Sequence, residues 1–288
     1  YLYTTSISLG LNEHFKKYAD EVIEKIRPEK YSLVIDIGSN DGSLLRAFKE
    51  KSFKILGIDP AKEVAKQATA SGIETIADYF TSDLAIKIRN EKGKAKIITA
   101  NNVIANINNL TDLLNGIKEL LDKEGVFIFE TAYMPDLISK NIFDNIYHEH
   151  LSYFSVKSIN HLLAINELEL FDIQHIDTKG GSIRGFAQFK NGPHAKSKSM
   201  INMIASETRN NLDKIEFFKN FDNRVSYMKN ELLGILKKLK EQNKIIAGYG
   251  ASVGVTTMIY HLNLNDYLSF LLDDNPIRNG LFTPGYHI

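Results

Sequence analysis

A short turn that contains two glycines and two acids is the first segment whose residue types could do chemistry. It follows residues 32–37, an apolar run that predicts a buried strand, and it precedes a helical pattern. Gly38 and Gly42 let the backbone turn sharply and pass close to a ligand. Asp36 and Asp41 disfavour a pyrophosphate and favour a ligand with positive charge. S-adenosylmethionine, which carries a sulfonium and an ammonium group, has that chemistry; a tight turn without a ligand is the structural alternative.

Polar residues also follow each of the next three predicted strands, at the point where the strand ends. These residues are Asp59 and Pro60, then Asp78, then Asn101 and Asn102. Ligands bind outside the carboxyl ends of strands in open parallel sheets, so we expect these side chains to lie along one edge. Asp59 could accept hydrogen bonds from ribose hydroxyls and Asp78 could contact an adenine amino group, although any one acid alone is more often a helix cap. The predicted donor-binding residues are Asp36, Gly38, Asn40, Gly42, Asp59, Pro60, Asp78, Asn101 and Asn102.

A second chemical signal lies in residues 142–154, a polar, aromatic and aperiodic stretch that predicts a long functional loop. It holds Tyr147, His148, Glu149 and His150 in succession. Two histidines and a carboxylate could ligate a metal, carry out acid–base chemistry or decorate a surface loop. No clear third metal ligand is visible, whereas histidine supplies a group that titrates near neutral pH. We therefore favour acid–base chemistry without a metal, in which Tyr147 could donate to a developing oxyanion.

Two further glycine turns carry residues that could bind a substrate. Lys179 and Arg184 flank a glycine pair, and an arginine fork suits phosphate oxygens. By itself, this stretch is better interpreted as a turn with a surface arginine. A strand–glycine–helix pattern over residues 248–254 could hold a phosphate at a helix N-terminus. It could also be a dinucleotide-binding fingerprint, but its spacing is off and the acid expected downstream is poorly placed.

Strands and helices alternate along the first two thirds of the chain and must position these residues. Helical patterns separate the strand-like runs, which lie at residues 32–37, 54–58, 73–77, 95–100 and 125–131. This alternation predicts an α/β fold with a mainly parallel sheet and helices on both faces. After a break at residues 191–193, helical sequence over residues 196–242 leads into a smaller strand–helix–strand unit. We therefore predict two domains, residues 1–192 and residues 193–288.

The composition argues against several classes of function. The chain has 288 residues with 35 basic and 35 acidic side chains, a balance that argues against a protein devoted to nucleic acid. Cysteine is absent, so thiolate nucleophiles and cysteine-ligated zinc are excluded from this stretch. The sequence has no run of about eighteen apolar residues and no secretory signal, so we expect no membrane span and a cytoplasmic location.

Together these motifs resemble the sugar C-methyltransferases of deoxysugar biosynthesis, which add a methyl group to C-3 of a nucleotide-linked 4-keto sugar. The resemblance runs almost from end to end, and its most specific parts are residues 37–42, 147–154, 180–184, 248–252, 274–276 and 283–285. It implies a Rossmann-like S-adenosylmethionine methyltransferase sheet followed by a smaller α/β C-terminal domain. It also implies S-adenosylmethionine as cofactor and a nucleotide-linked sugar as partner, held in part by the C-terminal domain.

The resemblance assigns roles to individual residues of this sequence. His150 matches the proposed base of such enzymes, with Tyr147 and Glu149 beside it as further catalytic residues. The aromatic start of the chain, which includes Tyr3, resembles a segment that closes over the donor. The substrate-binding residues expected on this basis are Tyr3, Asn106, Lys179, Arg184, Tyr249 and Ser252.

Four departures from the family pattern leave the acceptor open. Such enzymes usually begin with a cysteine-rich zinc domain, and this sequence has no cysteine. Asn106 stands where a second active-site histidine is expected, and Lys179 stands where a histidine usually precedes the glycine turn. Residues 253–255 replace a segment in which a lysine is common. The alternatives are an O-methyltransferase, an inactive nucleotide-sugar-binding protein and an NAD-dependent enzyme, and the oligomeric state stays open.

Overall fold

A seven-stranded sheet is the centre of the structure, a computed structural model that describes residues 10–288 apart from the side chains of residues 11 and 12. Its strands are β1 (Leu33–Ile37), β2 (Lys54–Ile58), β3 (Thr75–Ile76), β4 (Ala95–Asn101), β5 (Leu121–Ala132), β6 (Leu168–Ile176) and β7 (Ser182–Phe189). The helices are α1 (Leu11–Ile26), α2 (Ser43–Glu50), α3 (Lys62–Ala70), α4 (Ser82–Lys92), α5 (Leu110–Leu120), α6 (Met134–Ser139), α7 (Val156–Ile165), α8 (Lys198–Arg209), α9 (Ile215–Glu241) and α10 (Val255–Leu262). A separate small sheet pairs β8 (Ala247–Tyr249) with β9 (Phe270–Leu272) in parallel.

The strand order of the large sheet is β3-β2-β1-β4-β5-β7-β6. Strands β1 to β5 run parallel, whereas β7 is inserted antiparallel between β5 and β6. The carboxyl ends of the five parallel strands therefore meet at one edge, and the direction of the winding reverses between β1 and β4. Ligands bind at such a reversal in open α/β sheets. The prediction of an α/β fold with a mainly parallel sheet is confirmed.

Helices cover both faces of this sheet because side chains alternate along each strand. On one face, Val34 packs against α1 and α2 in an apolar cluster that includes Tyr18 and Phe48. On the other face, Ile35 and Ile98 pack against α4, α5, α7 and α8. β1 is buried along its whole length, as expected for a parallel strand covered on both sides. Among the described residues, no helix is both long and apolar enough to cross a membrane.

Most of the predicted elements form, with shifts of a few residues at their ends. The helical sequence over residues 196–242 divides into α8 and α9, as expected. The helix expected from Ser252 begins later, at Val255, because residues 250–254 form a turn. Gly250 has a φ of +97°, and the backbone N–H of Ala251 donates to the Asp273 side chain rather than to a helical carbonyl.

A third apolar cluster joins α9, α10, β8 and β9 into a smaller C-terminal unit. It contains Val225 and Ile259 and also takes in Phe143, which lies on the loop that follows α6. In contrast, α8 packs on the large sheet through Met200. The domain boundary at residues 192–193 stays a prediction, and packing places α8 with the large sheet although it follows that boundary.

Candidate active site

The glycine turn after β1 depends on two residues with left-handed backbone. Gly38 has a φ of +72°, and a Cβ at this position would stand 2.2 Å from Cγ2 of Val103. Gly42 has a φ of +75°, and a Cβ there would stand 2.6 Å from Cγ2 of Ile73. Both positions therefore require glycine, for the positive φ and for the close approach of an apolar side chain. This packing holds the turn in one conformation at the carboxyl end of β1.

Two aspartates stand at the carboxyl ends of β1 and β2. Asp59 accepts backbone hydrogen bonds from Asn40 and Ala61, each of 2.9 Å, and so ties the two neighbouring turns together. Asp36 is 4% exposed and accepts a hydrogen bond of 2.6 Å from Oγ1 of Thr99. Burial raises the pKa of Asp36 to about 7, against a smaller lowering by the Thr99 hydrogen bond. A cation beside Asp36 would favour its ionised form.

The carboxyl end of β4 presents an unsatisfied amide. Both side-chain amide atoms of Asn101 are buried and lack a hydrogen-bond partner among the described residues, a cost that a ligand could remove. Asn102 has a φ of +55° and donates its backbone N–H to the carbonyl oxygen of Glu130 at 2.7 Å. Asp78 and Pro60 are exposed at the same edge. The structure thus brings the predicted donor-binding residues to one edge, while their contacts with a donor stay predictions.

The carbonyl of Asn145 orients the imidazole of His150. Nδ1 of His150 lies 2.9 Å from this carbonyl oxygen, and Nε2 lies 3.0 Å from the hydroxyl oxygen of Tyr147. A carbonyl oxygen only accepts hydrogen bonds, so Nδ1 carries a hydrogen, and in the neutral ring Nε2 then carries the lone pair. The Tyr147 hydroxyl therefore donates to Nε2, and the two ring centroids are 4.2 Å apart. His150 has the tautomer in which Nε2 can act as a base.

The other residues of this loop segment, His148, Glu149 and Tyr147, differ from His150 in exposure and in their contacts. The His148 side chain is 80% exposed, and its Nε2 lies 3.9 Å from Oε1 of Glu149. Burial, and to a smaller extent the charge of Glu149, raises the pKa of Tyr147, which therefore keeps its proton at neutral pH and donates a hydrogen bond. In residues 10–288, no group of three or more histidine, aspartate or glutamate side chains is placed to hold a metal ion.

Both units of the structure hold the loop that carries His150. The backbone N–H of Leu151 donates to the carbonyl of Ala105 at 2.8 Å, so the loop lies against the segment after β4, where Asn106 is exposed. From the C-terminal unit, Oγ1 of Thr257 in α10 donates to the carbonyl of Ile146 at 2.7 Å. The position of the base therefore depends on the large sheet and on α10 together.

A charged network at the end of β5 is the part of the site that the sequence prediction missed. Glu130 is 2% exposed and pairs across the sheet with Arg184 of β7, whose Nε lies 2.7 Å from Oε1. Arg184 also contacts Glu21 of α1 at 2.7 Å and lies 4.0 Å from the ring centroid of Tyr18. His14 completes the network, with Nε2 3.2 Å from Oε2 of Glu130. The sequence signal that could have found it is a lone charge inside an apolar strand, since unpaired buried charges are rare.

The interpretation of Arg184 as a surface arginine on the turn is wrong, and its contact with a substrate phosphate stays a prediction. β7 begins at Ser182, directly after the glycine turn, and carries Arg184 into the sheet, where it is 1% exposed and paired. Lys179 does lie on the turn, exposed and with a φ of +51°, and its contact with a substrate stays a prediction. Tyr3 lies outside the described residues.

An acid occupies the glycine turn after β8. Oδ2 of Asp273 accepts a hydrogen bond of 2.6 Å from the backbone N–H of Ala251, and the same oxygen pairs with Arg278 at 2.7 Å. A carboxylate in this place disfavours a phosphate on the same amide. Tyr249 and Ser252 are exposed beside the turn, and their contact with a substrate stays a prediction.

The fold and the polar carboxyl edge of the large sheet define a class of protein. Residues 11–172 match the family described as a methyltransferase domain, and residues 177–288 match the family described as a C-methyltransferase C-terminal domain. Since the first match covers more than half of the sequence, the chain belongs to the methyltransferase family and is an S-adenosylmethionine-dependent methyltransferase.

Individual relatives agree with this assignment. The C-methyltransferase NovU of Streptomyces niveus is 29% identical over 289 residues, which span 100% of this chain and 69% of that protein. The PH0226 protein of Pyrococcus horikoshii OT3 has a similar structure, with a TM-score of 0.53 and 12% identity over 65% of this chain and 95% of that one. A chain in the complex of the Haloferax volcanii Trm112 methyltransferase activator with a methyltransferase has a TM-score of 0.50 and 13% identity, over 64% and 93% of the two chains. Such structural similarities show a shared fold alone, and the expected Rossmann-like methyltransferase sheet is confirmed.

The residues at the carboxyl ends of β1, β2 and β4 fit S-adenosylmethionine. The carboxylates of Asp36 and Asp59 suit its cationic groups and its ribose hydroxyls. The amide of Asn101, which has no hydrogen-bond partner among the described residues, would offer both a donor and an acceptor to its methionine end. These three residues would therefore hold the cofactor, which supplies an electrophilic methyl group when bound.

Proposed function

We propose that this methyltransferase transfers its methyl group to a carbon atom of a nucleotide-linked 4-keto sugar. The observation that carries the proposal is the tautomer of His150, which leaves Nε2 as a base at the carboxyl edge of the sheet. The match of residues 177–288 to a C-methyltransferase C-terminal domain supports transfer to carbon. The motifs that resemble sugar C-methyltransferases support a keto sugar as the acceptor.

The proposed chemistry needs a base because a carbon next to a ketone becomes a nucleophile only after it loses a proton. Nε2 of His150 accepts this proton, and the electron pair of the C–H bond moves to the carbonyl oxygen to give an enolate. The Tyr147 hydroxyl, protonated at neutral pH, lies beside the base and can donate a hydrogen bond to that oxygen. Glu149 is the alternative group at that oxygen, and its charge also helps to keep the Tyr147 hydroxyl protonated. A positioned base contributes about 10²–10⁴-fold to the rate.

Methylation of a sugar oxygen is the second candidate function. The same base could remove a hydroxyl proton without forming an enolate. Two exposed residues replace the histidines of the sugar C-methyltransferase pattern, Asn106 before the His150 loop in the sequence and Lys179 after it. These replacements favour the alternative of O-methylation. An inactive nucleotide-sugar-binding protein is disfavoured because it would need no glycine turn of this shape.

We place the reaction in a reducing cytoplasm, without nucleic-acid or membrane partners. The absence of cysteine is compatible with that compartment. The equal numbers of basic and acidic residues, 35 of each, support an acceptor that is a small molecule rather than a polyanion.

Deuterium uptake by the acceptor separates the candidate functions. The chain is incubated in D₂O with S-adenosylhomocysteine and a thymidine-diphosphate-linked 4-keto-6-deoxyhexose, and then in a second reaction with S-adenosylmethionine. We expect enzyme-catalysed uptake at the carbon next to the ketone in the first reaction and one new C–CH₃ group in the second. A new O–CH₃ group without uptake would instead establish O-methylation. Failure to bind either form of the cofactor would contradict the assignment as a methyltransferase.

The variant His150→Gln tests the base directly. We expect the methylation rate to fall about 10²–10⁴-fold, a barrier change of about 3–5 kcal/mol, while S-adenosylhomocysteine still binds. His161→Gln is a matched control because His161 is exposed on α7, outside the loop that carries His150. An unchanged rate in His150→Gln would remove His150 from the mechanism.

A further inference from the structure

Glu130 lies where α1 meets the carboxyl edge of the large sheet, and both of its carboxylate oxygens are occupied. Oε1 accepts from Nε and Nη2 of Arg184, at 2.7 and 2.6 Å, and Oε2 lies 3.2 Å from Nε2 of His14. Burial alone would raise the pKa of Glu130, but the hydrogen bond from His14 and the charge of Arg184 outweigh it and hold that pKa below its usual value. Glu130 is therefore ionised and can accept hydrogen bonds but not donate them.

This carboxylate determines how the imidazole of His14 is presented. Because Glu130 only accepts, Nε2 of His14 carries a hydrogen. Nδ1 of His14 has no hydrogen-bond partner in the described part of the chain, and the side chain is 20% exposed. A histidine that is held by a buried carboxylate on one nitrogen and open on the other is the arrangement by which enzymes present an imidazole to a substrate.

The register of the sheet places Glu130, and His14 above it, at the same edge as the predicted donor-binding residues. Asp36 of β1 pairs in register with Thr99 of β4, and Asn101 of β4 pairs with Glu130 of β5. Thr99 and Asn101 are two residues apart, so their side chains point to the same face of the sheet. All four side chains therefore belong to the face that α1 covers. Neighbouring strands are about 4.8 Å apart, so β5 lies about 10 Å from β1. The predicted contacts with adenosine are on β2 and β3, on the other side of β1. His14, which contacts Glu130 of β5, thus lies on the opposite side of β1 from the predicted adenosine contacts.

We propose that His14 hydrogen-bonds the carbonyl oxygen of the acceptor while His150 removes the neighbouring proton, with Glu130 as the positioning residue. This inference rests on the proposed function. As the proton passes to Nε2 of His150, the electron pair of the broken C–H bond moves to the carbonyl oxygen, which becomes negative. This role requires a hydrogen on each ring nitrogen of His14, so that Nδ1 donates to this oxygen while Glu130 and Glu21 together face the charges of His14 and Arg184.

Two substitutions at one position separate this role from a structural one. His14→Gln keeps an N–H group that can donate to Glu130 but offers no imidazole to the acceptor, whereas His14→Ala removes both. Each variant is tested for deuterium uptake by the thymidine-diphosphate-linked 4-keto-6-deoxyhexose in the presence of S-adenosylhomocysteine. Thermal unfolding and S-adenosylhomocysteine affinity are measured alongside, with His161→Gln as the control.

We expect uptake to slow about 10²-fold or more in both His14 variants, while His14→Gln keeps the unfolding midpoint and the cofactor affinity of the wild type. Wild-type uptake in His14→Gln, with loss confined to His14→Ala, would show a structural role and overturn the inference. That outcome would leave the proposed function intact, because the wild-type chain still exchanges and methylates the sugar. If the wild type does neither, the proposed function fails and this inference fails with it.

Discussion

The hydroxyl of Tyr147 lies 3.0 Å from the basic nitrogen of His150, so the base already has a hydrogen-bond donor before any acceptor binds. An acceptor that reaches Nε2 displaces this hydroxyl or shares it, and in both cases Tyr147 is close to the reacting atoms. Tyr153 lies on the same loop but donates to the carbonyl of Asn145 at 3.3 Å. The two tyrosines are therefore comparable in position, since Tyr147 contacts the base itself and Tyr153 contacts the carbonyl that orients the base.

Tyr147→Phe should lower kcat roughly 2- to 10-fold, because one hydrogen bond contributes about 0.5–1.5 kcal/mol. Burial raises the pKa of Tyr147, so its hydroxyl is protonated throughout the working range and the shape of the pH–rate profile should not change. Rates measured across the pH range check both points, with Tyr153→Phe as the control that loses less activity. A missing limb in the Tyr147→Phe profile, or equal losses in the two variants, would contradict this role.

The buried carboxyl of Asp36 should make the stability of the fold depend on pH. Its pKa is about 7 in the folded chain and has a reference value of 3.8, so the folded state binds the proton more tightly. Stability should therefore fall as the pH rises from about 4 to about 7 and level off above that. Asp36→Asn should remove this slope and be more stable than the wild type at alkaline pH. Denaturant unfolding below and above pH 7 measures it, and parallel curves for the two proteins would count against the shift.

Protonation of Asp36, which stabilises the fold, should weaken the binding of the donor. A cationic donor favours the ionised form of Asp36, so affinity for S-adenosylmethionine should weaken as the pH falls below about 7. Calorimetric titration of wild type and Asp36→Asn over this range checks it. The variant should bind more weakly than the wild type above pH 7, approach it as the pH falls below 7, and lose most of the pH dependence.

Gly38→Ala should lose donor binding and stability together. The new Cβ would stand 2.2 Å from Cγ2 of Val103 on a backbone with a φ of +72°, and overpacking of this kind costs about 1–3 kcal/mol. Gly234 of α9 is the control, since a Cβ there meets nothing within 4 Å. Gly234→Ala should gain up to about 1 kcal/mol, because alanine favours a helix interior. Urea unfolding and cofactor titration measure both variants; a Gly38→Ala protein that binds normally would refute the steric requirement.

Glu207 should be important for stability although it lies outside the site. Its carboxylate, 1% exposed on α8, accepts hydrogen bonds from the Tyr133 hydroxyl at 2.9 Å and from the backbone N–H groups of Val156 at 2.6 Å and Lys157 at 2.8 Å. Glu207→Ala leaves these donors unpaired and should cost about 3 kcal/mol. Glu231→Ala on exposed α9 sequence should stay within about 0.5 kcal/mol. Similar unfolding midpoints for the two variants would disprove the role of the Glu207 carboxylate.

Local signals in the sequence are sufficient to place the predicted donor-binding residues at the carboxyl edge of the large sheet. Gly38 and Gly42 follow directly on the apolar strand that they terminate, so the strand and its turn can be predicted from one short window. The ends of β2 and β4 carry Asp59 and Asn101, and parallel strands that alternate with helices must bring their carboxyl ends to the same edge. The same reasoning identifies residues 142–154 as a loop, because aromatic and charged side chains occur there without periodicity.

Long-range pairing accounts for what the sequence could not show. Glu130 and Arg184 are 54 residues apart and meet only because β7 is inserted antiparallel beside β5. Periodicity does not determine which strands become neighbours, so Arg184 after a glycine turn resembles a surface residue until its partner strand is known. His14 gave no signal either, since one histidine on an amphipathic helix is ordinary and its meaning depends on Glu130 beneath it.

The contact between α10 and the loop of His150 has a consequence for turnover. Thr257 binds the carbonyl of Ile146, and a Cβ on Gly254 would stand only 2.5 Å from the carbonyl oxygen of Asp144, so α10 clamps the backbone that leads to the base. A movement of the C-terminal unit would therefore displace His150 through this contact and leave the glycine turn after β1 in place. We therefore expect changes in α10 to alter the position of His150 more than that of the glycine turn, which packs against Val103 and Ile73.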